Sequence, residues 1–297
     1  MRRLSWSEFV VTRLIKVCGY SAILFVGMIF VFLIREGTPG FVEIPLSSLL
    51  SARWYPIEEY FGILPLIGGS LVVTLGAAMV SVPLGVLTAV FVAEIAPRWA
   101  REILKPLVEL LAGLPSVALG FVGILVLTPF VRTTLGLPTG LTAFTGALLL
   151  GLIAIPTIVS VTEDALDAVP RTYREAALAM GATEWQTIWR VTLPAARSGV
   201  LTAIMLGIAR AIGETMAVMM VTGNAPVLPS GLAALFGPIR TMTATIAAEM
   251  GEVARESTHY HALFVIGIVL FMISLAVNLT AASVVFQQRK RAERILS

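Results

Sequence analysis

The sequence predicts an all-α membrane protein with six transmembrane helices. Three observations predict it. Of 297 residues, 57% are hydrophobic and only 13% charged, with mean hydropathy +0.91; a soluble domain carries roughly twice that charge. Several apolar runs exceed the roughly 20 residues that a helix needs to cross a bilayer. A spanning segment must satisfy its own backbone groups, so helices are the natural reading. The net charge of +3 has no basic–aromatic stripe behind it and does not indicate nucleic acid. Cys18 is the single cysteine. It therefore belongs to no disulfide framework and reads as a small packing residue.

The first span is expected at 17–34, after Arg2, Arg3, Arg13 and Lys16. A cleaved leader would want a shorter core and a small-x-small site. Arg35-Glu36-Gly37 follows instead, so the segment reads as an uncleaved span. The outer segment 35–64 carries Glu36, Glu43, Glu58 and Glu59. Span two, 65–93, is long for a straight crossing, and Pro83 is placed to kink it. Spans three (107–131) and four (142–162) contain Pro115 and Pro156, each of which interrupts a helix ladder. Span five runs over 199–222 and span six over 262–286. Between them, 223–261 is rich in Gly and Pro early and then reads as a short helix near 241–255. Its Leu232, Leu235, Phe236 and Ile239 allow it to dip back into the protein. The organisation is an N-terminal segment with the first helix and outer loop (1–64), a core (65–286) and a tail (287–297).

Orientation follows from the placement of Lys and Arg. The N-terminus, the loop after span two (Arg98, Arg101, Lys105), the loop after span four (Arg171, Arg174, Arg190, Arg197) and the tail (Arg289, Lys290, Arg291, Arg294) together hold fifteen. The opposite side holds five: Arg35, Arg53, Arg132, Arg240 and Arg255. Both termini and the loop 163–198 are thus expected in the cytoplasm. The tryptophans Trp6, Trp54, Trp99, Trp185 and Trp189 all fall outside the expected hydrocarbon.

The loop 163–198 reads as two short helices. Pro170 suits a helix start, and Gly181 suits the left-handed residue after a helix end. Thr183 and Gln186 have the spacing of a capping box, and Pro194 separates the second helix from span five. Arg174 and Glu175 supply charge for docking, while Trp185 and Trp189 share a face. Glu163, Asp164 and Asp167 read as a solvated face. The simpler reading of the loop is an interfacial amphipathic connector. The order Glu175-Ala176-Ala177, three residues, Gly181, nine residues, then Val191-Thr192-Leu193-Pro194 resembles the EAA loop of ABC-importer permeases. That resemblance implies the type I permease fold, with Glu175, Ala176, Ala177, Gly181, Leu193 and Pro194 forming the coupling contact to an ATPase.

Span five holds two charges near its centre, Arg210 and Glu214. A midplane arginine costs roughly 2.5–3.5 kcal/mol on insertion scales and faces a bundle interior or a wet cavity. One turn apart on a helix, the two side chains share a face, and Gly207 and Ala203 leave room beside it. Arginine presents a planar, permanently charged fork suited to oxyanions. The two readings are an anion path, with Glu214 balancing Arg210 at rest, and a buried pair that fixes helix packing. Thr215 and Gly207 complete the candidate path.

Further segments match one family in order. Arg210-Ala211-Ile212-Gly213-Glu214-Thr215-Met216-Ala217-Val218 is similar to the RA-GETMAV stretch of PstC permease subunits of the phosphate-specific (Pst) ABC importers. Val108-Glu109-Leu110-Leu111-Ala112-Gly113-Leu114-Pro115-Ser116-Val117, Ile155-Pro156-Thr157-Ile158, Asp164 to Pro170 and His259-Tyr260 also resemble it. The resemblance spans 65–286. It implies a subunit in a bacterial or archaeal cytoplasmic membrane that imports inorganic phosphate by alternating access. It also implies a PstA-like second permease, two PstB-like ATPases and a PstS-like periplasmic phosphate-binding protein. No cofactor is expected in this chain. It has no G-x-x-x-x-G-K-[ST] sequence, so ATP and Mg would be bound by the partner ATPase. No nucleophile elbow or H-E-x-x-H appears, and no catalytic residue is expected. His259 and His261 alone are too few for a metal site. The competing functions are a permease for molybdate, sulfate or phosphonate, and a secondary transporter working alone.

Replacing Arg210 by Gln is expected to abolish uptake while leaving the protein in the membrane. Replacing Glu214 by Gln is expected to alter uptake strongly. Radiolabelled phosphate uptake with a membrane-abundance control tests both.

Overall fold

The computed structural model describes residues 6–296. Arg2 and Arg3 lie outside the described residues, as do the side chains of Trp6, Arg289, Lys290, Arg291 and Arg294. Six helices are long and apolar enough to span a membrane: Phe9–Glu43, Leu64–Ile95, Ser116–Leu135, Ala143–Asp167, Glu184–Gly213 and Thr258–Thr280. All six expected spans are present, with shifted ends.

The first helix, α1 (Trp6–Glu43), runs beyond the expected span and absorbs Gly37, Pro39 and Gly40. Those residues were expected in a loop. They are helical because they pack: a Cβ at Gly40 would meet Val265 and the His261 backbone of the last helix, and Gly37 lies as close to Ile268. Phe30–Phe271 and Phe32–Phe264 ring contacts continue that antiparallel seam. Cys18 is exposed on the outer face of α1 and is not a packing residue. A short helix α2 (Leu46–Leu49) and a two-stranded ribbon, β1 (Trp54–Tyr55) against β2 (Tyr60–Phe61), fill the rest of the outer segment.

The centre is built by α3 (Leu64–Val90), which continues through a π turn to Ile95, and α7 (Ala143–Asp167). The most apolar window of α7 is 61% buried and that of α1 is 0% buried, so α7 is the central post and α1 a peripheral one. Lipid offers no hydrophobic drive between helices, so close approach through small residues supplies the packing. Gly76 meets Ala147, Gly85 meets Ile158 and Gly151 meets Val80 along the parallel α3–α7 seam.

Span three differs from expectation. Residues Arg98–Ala112 form a separate helix, α4, and the chain breaks at 113–115 before α5 (Ser116–Val122), a π turn (Gly123–Leu127) and α6 (Thr128–Leu135). Pro115 sits at the N-cap of α5 and not inside a helix. Apolar residues continue on both sides of the break, which is why the run concealed it.

The α4 helix lies antiparallel along α7. Glu163 is only 2% exposed and accepts from Arg101 (3.0 Å) and Lys105 (3.4 Å), while Asp167 pairs with Arg101 and Asp164 with Lys105 (3.6 Å). Asp164 and Asp167 are exposed, as expected of a solvated face, but Glu163 is not, and all three join an ion network between helices. Partial burial acts to lower the pKa of both bases, but the hydrogen bond and charge of Glu163, with Asp167 and Asp164, outweigh it and hold both above their ordinary values.

Next come α8 (Arg171–Ala179) and α9 (Glu184–Thr187), which passes through a π turn (Ile188–Thr192) directly into α10 (Leu193–Gly213). The helix end at Gly181 is as expected: its φ is +85°, and Ala182 N–H to Ala177 O with Gly181 N–H to Leu178 O makes a Schellman motif. The Thr183–Gln186 capping box is present. Pro194 separates nothing; it lies in the first turn of α10, where a missing N–H is tolerated. The chain closes with α11 (Met216–Val221), α12 (Met242–Glu249) and α13 (Thr258–Leu296).

Arg174 turns inward. It donates to Glu94 (2.5 and 3.2 Å) and to the Leu166 and Val169 carbonyls (2.9 and 2.8 Å), capping the end of α7. Arg174→Ala should destabilise this end of the bundle by about 3 kcal/mol, because it leaves Glu94 unpaired in a largely buried position. Arg174→Lys should recover little, since lysine lacks the fork. Thermal unfolding in detergent with limited proteolysis at α8 measures both.

Candidate functional site

The site forms where α10 ends inside the bundle. The helix stops at Gly213, and Glu214 is extended (φ −69°, ψ 129°). Its carboxylate Oε1 turns back to accept the N–H groups of Thr215 (3.1 Å) and Ala217 (3.3 Å), which starts α11. A helix start leaves orphan N–H groups that an acceptor must satisfy, and a carboxylate also suits the positive end of the dipole.

Arg210 and Glu214 therefore do not share a helical face, and no ion pair joins them among the described residues. The guanidinium of Arg210 finds neutral acceptors instead. Its Nη1 donates to Thr157 Oγ1 on α7 (3.1 Å), and its Nη2 donates to the carbonyl of Ala112 at the end of α4 (3.1 Å). Ala112 is the last residue before the break at 113–115, where carbonyls lose their helical partners. Arg210, Thr157 and Ala112 are all partly accessible. The arginine is thus neither sealed in the core nor neutralised by a carboxylate.

The expected room beside Gly207 is filled. A Cβ there would lie 2.5 Å from Ile158 Cγ1, so Gly207 seats α10 against α7 and lines no path. Ala203 is likewise fully buried. Thr215 donates its hydroxyl to the Gly213 carbonyl (3.2 Å) and helps shape the break.

The loop 223–261 does dip back, through Ile239 as expected and through the start of α12, but not through Leu232. Leu232 is 82% exposed, whereas Ile239 and the first turn of α12 are buried. Thr243 Oγ1 donates to the Glu214 carbonyl (3.1 Å), and the Met242 N–H donates to Ser70 Oγ (2.9 Å). Between them lies a space of about 10 Å³ lined by Ser70, Thr74, Glu214, Thr241 and Thr243, enough for roughly one water. Farther out, Glu249 accepts from Arg240 (2.5 Å) and Trp54 (3.2 Å) and meets His259 (2.8 Å), and His261 meets Glu43 (3.1 Å). The two histidines thus face separate carboxylates.

At the other end, Glu175, Ala176 and Gly181 are exposed and Ala177 is half-buried. Trp185 and Trp189 stack edge-on at 5.5 Å beside them. Leu193 is half-buried and Pro194 exposed, on the continuous α9–α10 helix. A cleft of about 520 Å³ opens here, lined by Glu94, Arg101, Asp167, Arg171, Arg174 and Glu175. Thr157, the Ala112 carbonyl and Thr243 are site groups that residue chemistry alone did not single out. A hydroxyl or a main-chain carbonyl in an apolar run carries no charge signal.

The six-helix bundle with this exposed helical elbow is the architecture of an ABC-importer permease of type I. It matches a chain of a bacterial alginate ABC transporter solved with its alginate-bound periplasmic protein (15% identical, 94% of this chain, 96% of that one, TM-score 0.61). It also matches a chain of the MetNI methionine ABC transporter in an inward-facing conformation (20% identical, 79% and 99%, TM-score 0.56). At these identities the likeness is one of fold.

The chain belongs to the family described as the binding-protein-dependent transport system inner membrane component, which matches residues 81–292. It is a multi-pass inner-membrane protein and one component of a multi-subunit ABC transport system. It is 39% identical over 232 residues to the probable ABC transporter permease protein YqgH of Bacillus subtilis, covering 77% of this chain and 74% of that one. It is 32% identical over 296 residues to the phosphate transport system permease protein PstC of Mesorhizobium japonicum, covering 93% and 89%.

Because Glu214 caps α11, Glu214→Gln keeps an acceptor oxygen and should leave stability unchanged. Glu214→Ala should cost about 1 kcal/mol, the usual loss for a removed cap. Thermal unfolding of the two variants in detergent compares them.

Proposed function

We propose that this chain is a membrane subunit of an ATP-driven importer that carries inorganic phosphate into the cytoplasm. The observation that carries the reading is Arg210: a permanent positive charge inside the bundle, held by two neutral oxygens and partly accessible. An arginine neutralised by a carboxylate would offer an anion little. One held by a hydroxyl and a carbonyl keeps its charge for a passing oxyanion. The PstC relatives supply the choice of phosphate among oxyanions.

In this reading the α8 end is cytoplasmic, as are both termini, in keeping with fifteen Lys and Arg against five. Glu175, Ala176, Ala177, Gly181, Leu193 and Pro194 form the docking surface for one of two ATPase subunits, which hold ATP and Mg. This chain contributes transport and no catalysis of its own. A second permease subunit covers exposed apolar helix faces, and a periplasmic phosphate-binding protein delivers the anion to the α12 end.

The experiment is phosphate uptake by the complete complex reconstituted in liposomes with the binding protein outside and ATP inside. Arg210→Gln should lower uptake at least about a hundredfold, matching the roughly 3 kcal/mol of a charge-assisted contact. An uptake rate within twofold of wild type rejects the role. Competition by sulfate or molybdate that equals unlabelled phosphate would move the substrate to another oxyanion.

A further inference from the structure

We propose that Thr157 is a second ligand for the transported oxyanion, acting beside Arg210 through its hydroxyl proton. The inference rests on the reading of Arg210 as the anion-binding residue.

A hydroxyl carries one donor proton and two acceptor lone pairs. Thr157 Oγ1 accepts Nη1–H of Arg210 at 3.1 Å, which uses one lone pair. In a helix, the ordinary fate of a threonine proton is the carbonyl one turn back. Thr38, Thr202, Thr222 and Thr245 all do this, at 2.5 to 3.0 Å. Thr157 does not: among the described residues its proton has no acceptor, although it sits in the middle of α7. Thr162 and Thr192, also helical and without a partner, are fully buried; Thr74 and Thr88 of α3 are partly accessible and likewise bond nothing among the described residues, but neither touches a cation. Thr157 is partly accessible and lies against the guanidinium of Arg210.

The guanidinium sets the rest. Two of its N–H groups go to Thr157 and Ala112, and the others have no partner among the described residues. An oxyanion that reaches them comes within reach of the Thr157 proton as well. Guanidinium and hydroxyl donors then converge on one tetrahedral anion. The hydroxyl also offers its second lone pair to a P–OH group, which guanidinium cannot do. A protonated oxyanion gains from both, and a fully deprotonated one such as sulfate gains from the donor alone. Thr157 is therefore also a residue of specificity.

The test uses the full complex in liposomes and radiolabelled inorganic phosphate. Thr157→Val keeps the shape and removes the hydroxyl; Thr157→Ser keeps the hydroxyl and removes a methyl. The expected result is a maximal uptake rate about tenfold lower in Thr157→Val, with half-saturating phosphate, set by the binding protein, within twofold. Thr157→Ser should recover at least half of the wild-type rate. Membrane abundance and complex assembly are scored for each variant, and Thr157→Ala replaces Thr157→Val if the latter fails to assemble. Serine as impaired as valine, or valine within twofold of wild type, overturns the role of Thr157 while leaving that of Arg210 intact. A wild-type complex that carries no phosphate overturns both readings together.

Discussion

A membrane interior tolerates a broken helix only where something else satisfies the freed backbone groups. Among the described residues the chain breaks at 113–115, just before the span Ser116–Leu135, and at 214–215, where α10 ends, and the side chains that meet the freed groups are the polar groups of the candidate path. Arg210 donates to the carbonyl that ends α4. Glu214 accepts the amides that start α11. Thr243, reaching in from the outer loop, donates to the carbonyl between α10 and α11. The charges are where they are because the backbone is open there. The same opening leaves Arg210 without a carboxylate partner and so available to an anion.

The α4 helix gives this arrangement a mechanical meaning. One end is fixed to α7 by the Glu163, Asp164 and Asp167 network with Arg101 and Lys105. The other end holds the guanidinium of Arg210 through Ala112. The same end of α7 is capped by Arg174 of α8, which also holds Glu94 at the end of the α3 run. A push on α8 is therefore delivered to the ends of α3 and α7 and, along α4, to the arginine itself. The continuous α9–α10 helix offers a second route, since Arg210 is on the same rod as Trp185 and Pro194.

Much of this was legible in the residues. Six spans, the short outer helix, the Gly181 helix end and the Thr183–Gln186 box all follow from local rules of length, capping and left-handed glycine, and each is present. What failed did so for one kind of reason. Pro194 was read as a boundary because proline stops helices, yet at a first turn it does not. Gly37 and Gly40 were read as loop, yet their missing side chains are what lets α1 cross α13. Glu163 departs from the solvated face that its exposed neighbours Asp164 and Asp167 keep; the bases that hold it lie some sixty residues away in sequence. Arg210 and Glu214 were placed on one face by a helical period that the chain abandons at Gly213.

The sequence by itself determined the class of protein, the number of spans and the presence of a charged pair that only function or a special packing would keep in a membrane. Those are properties of composition and of period, and each residue carries its share locally. Only the tertiary structure decided what the pair does. Whether Arg210 meets a carboxylate, a hydroxyl or a carbonyl depends on where α4 stops and how closely α7 approaches. That approach is fixed by Gly207 against Ile158 and by an ion network at the far end of α7. Such distances are set by several helices at once, so no window of the chain contains them.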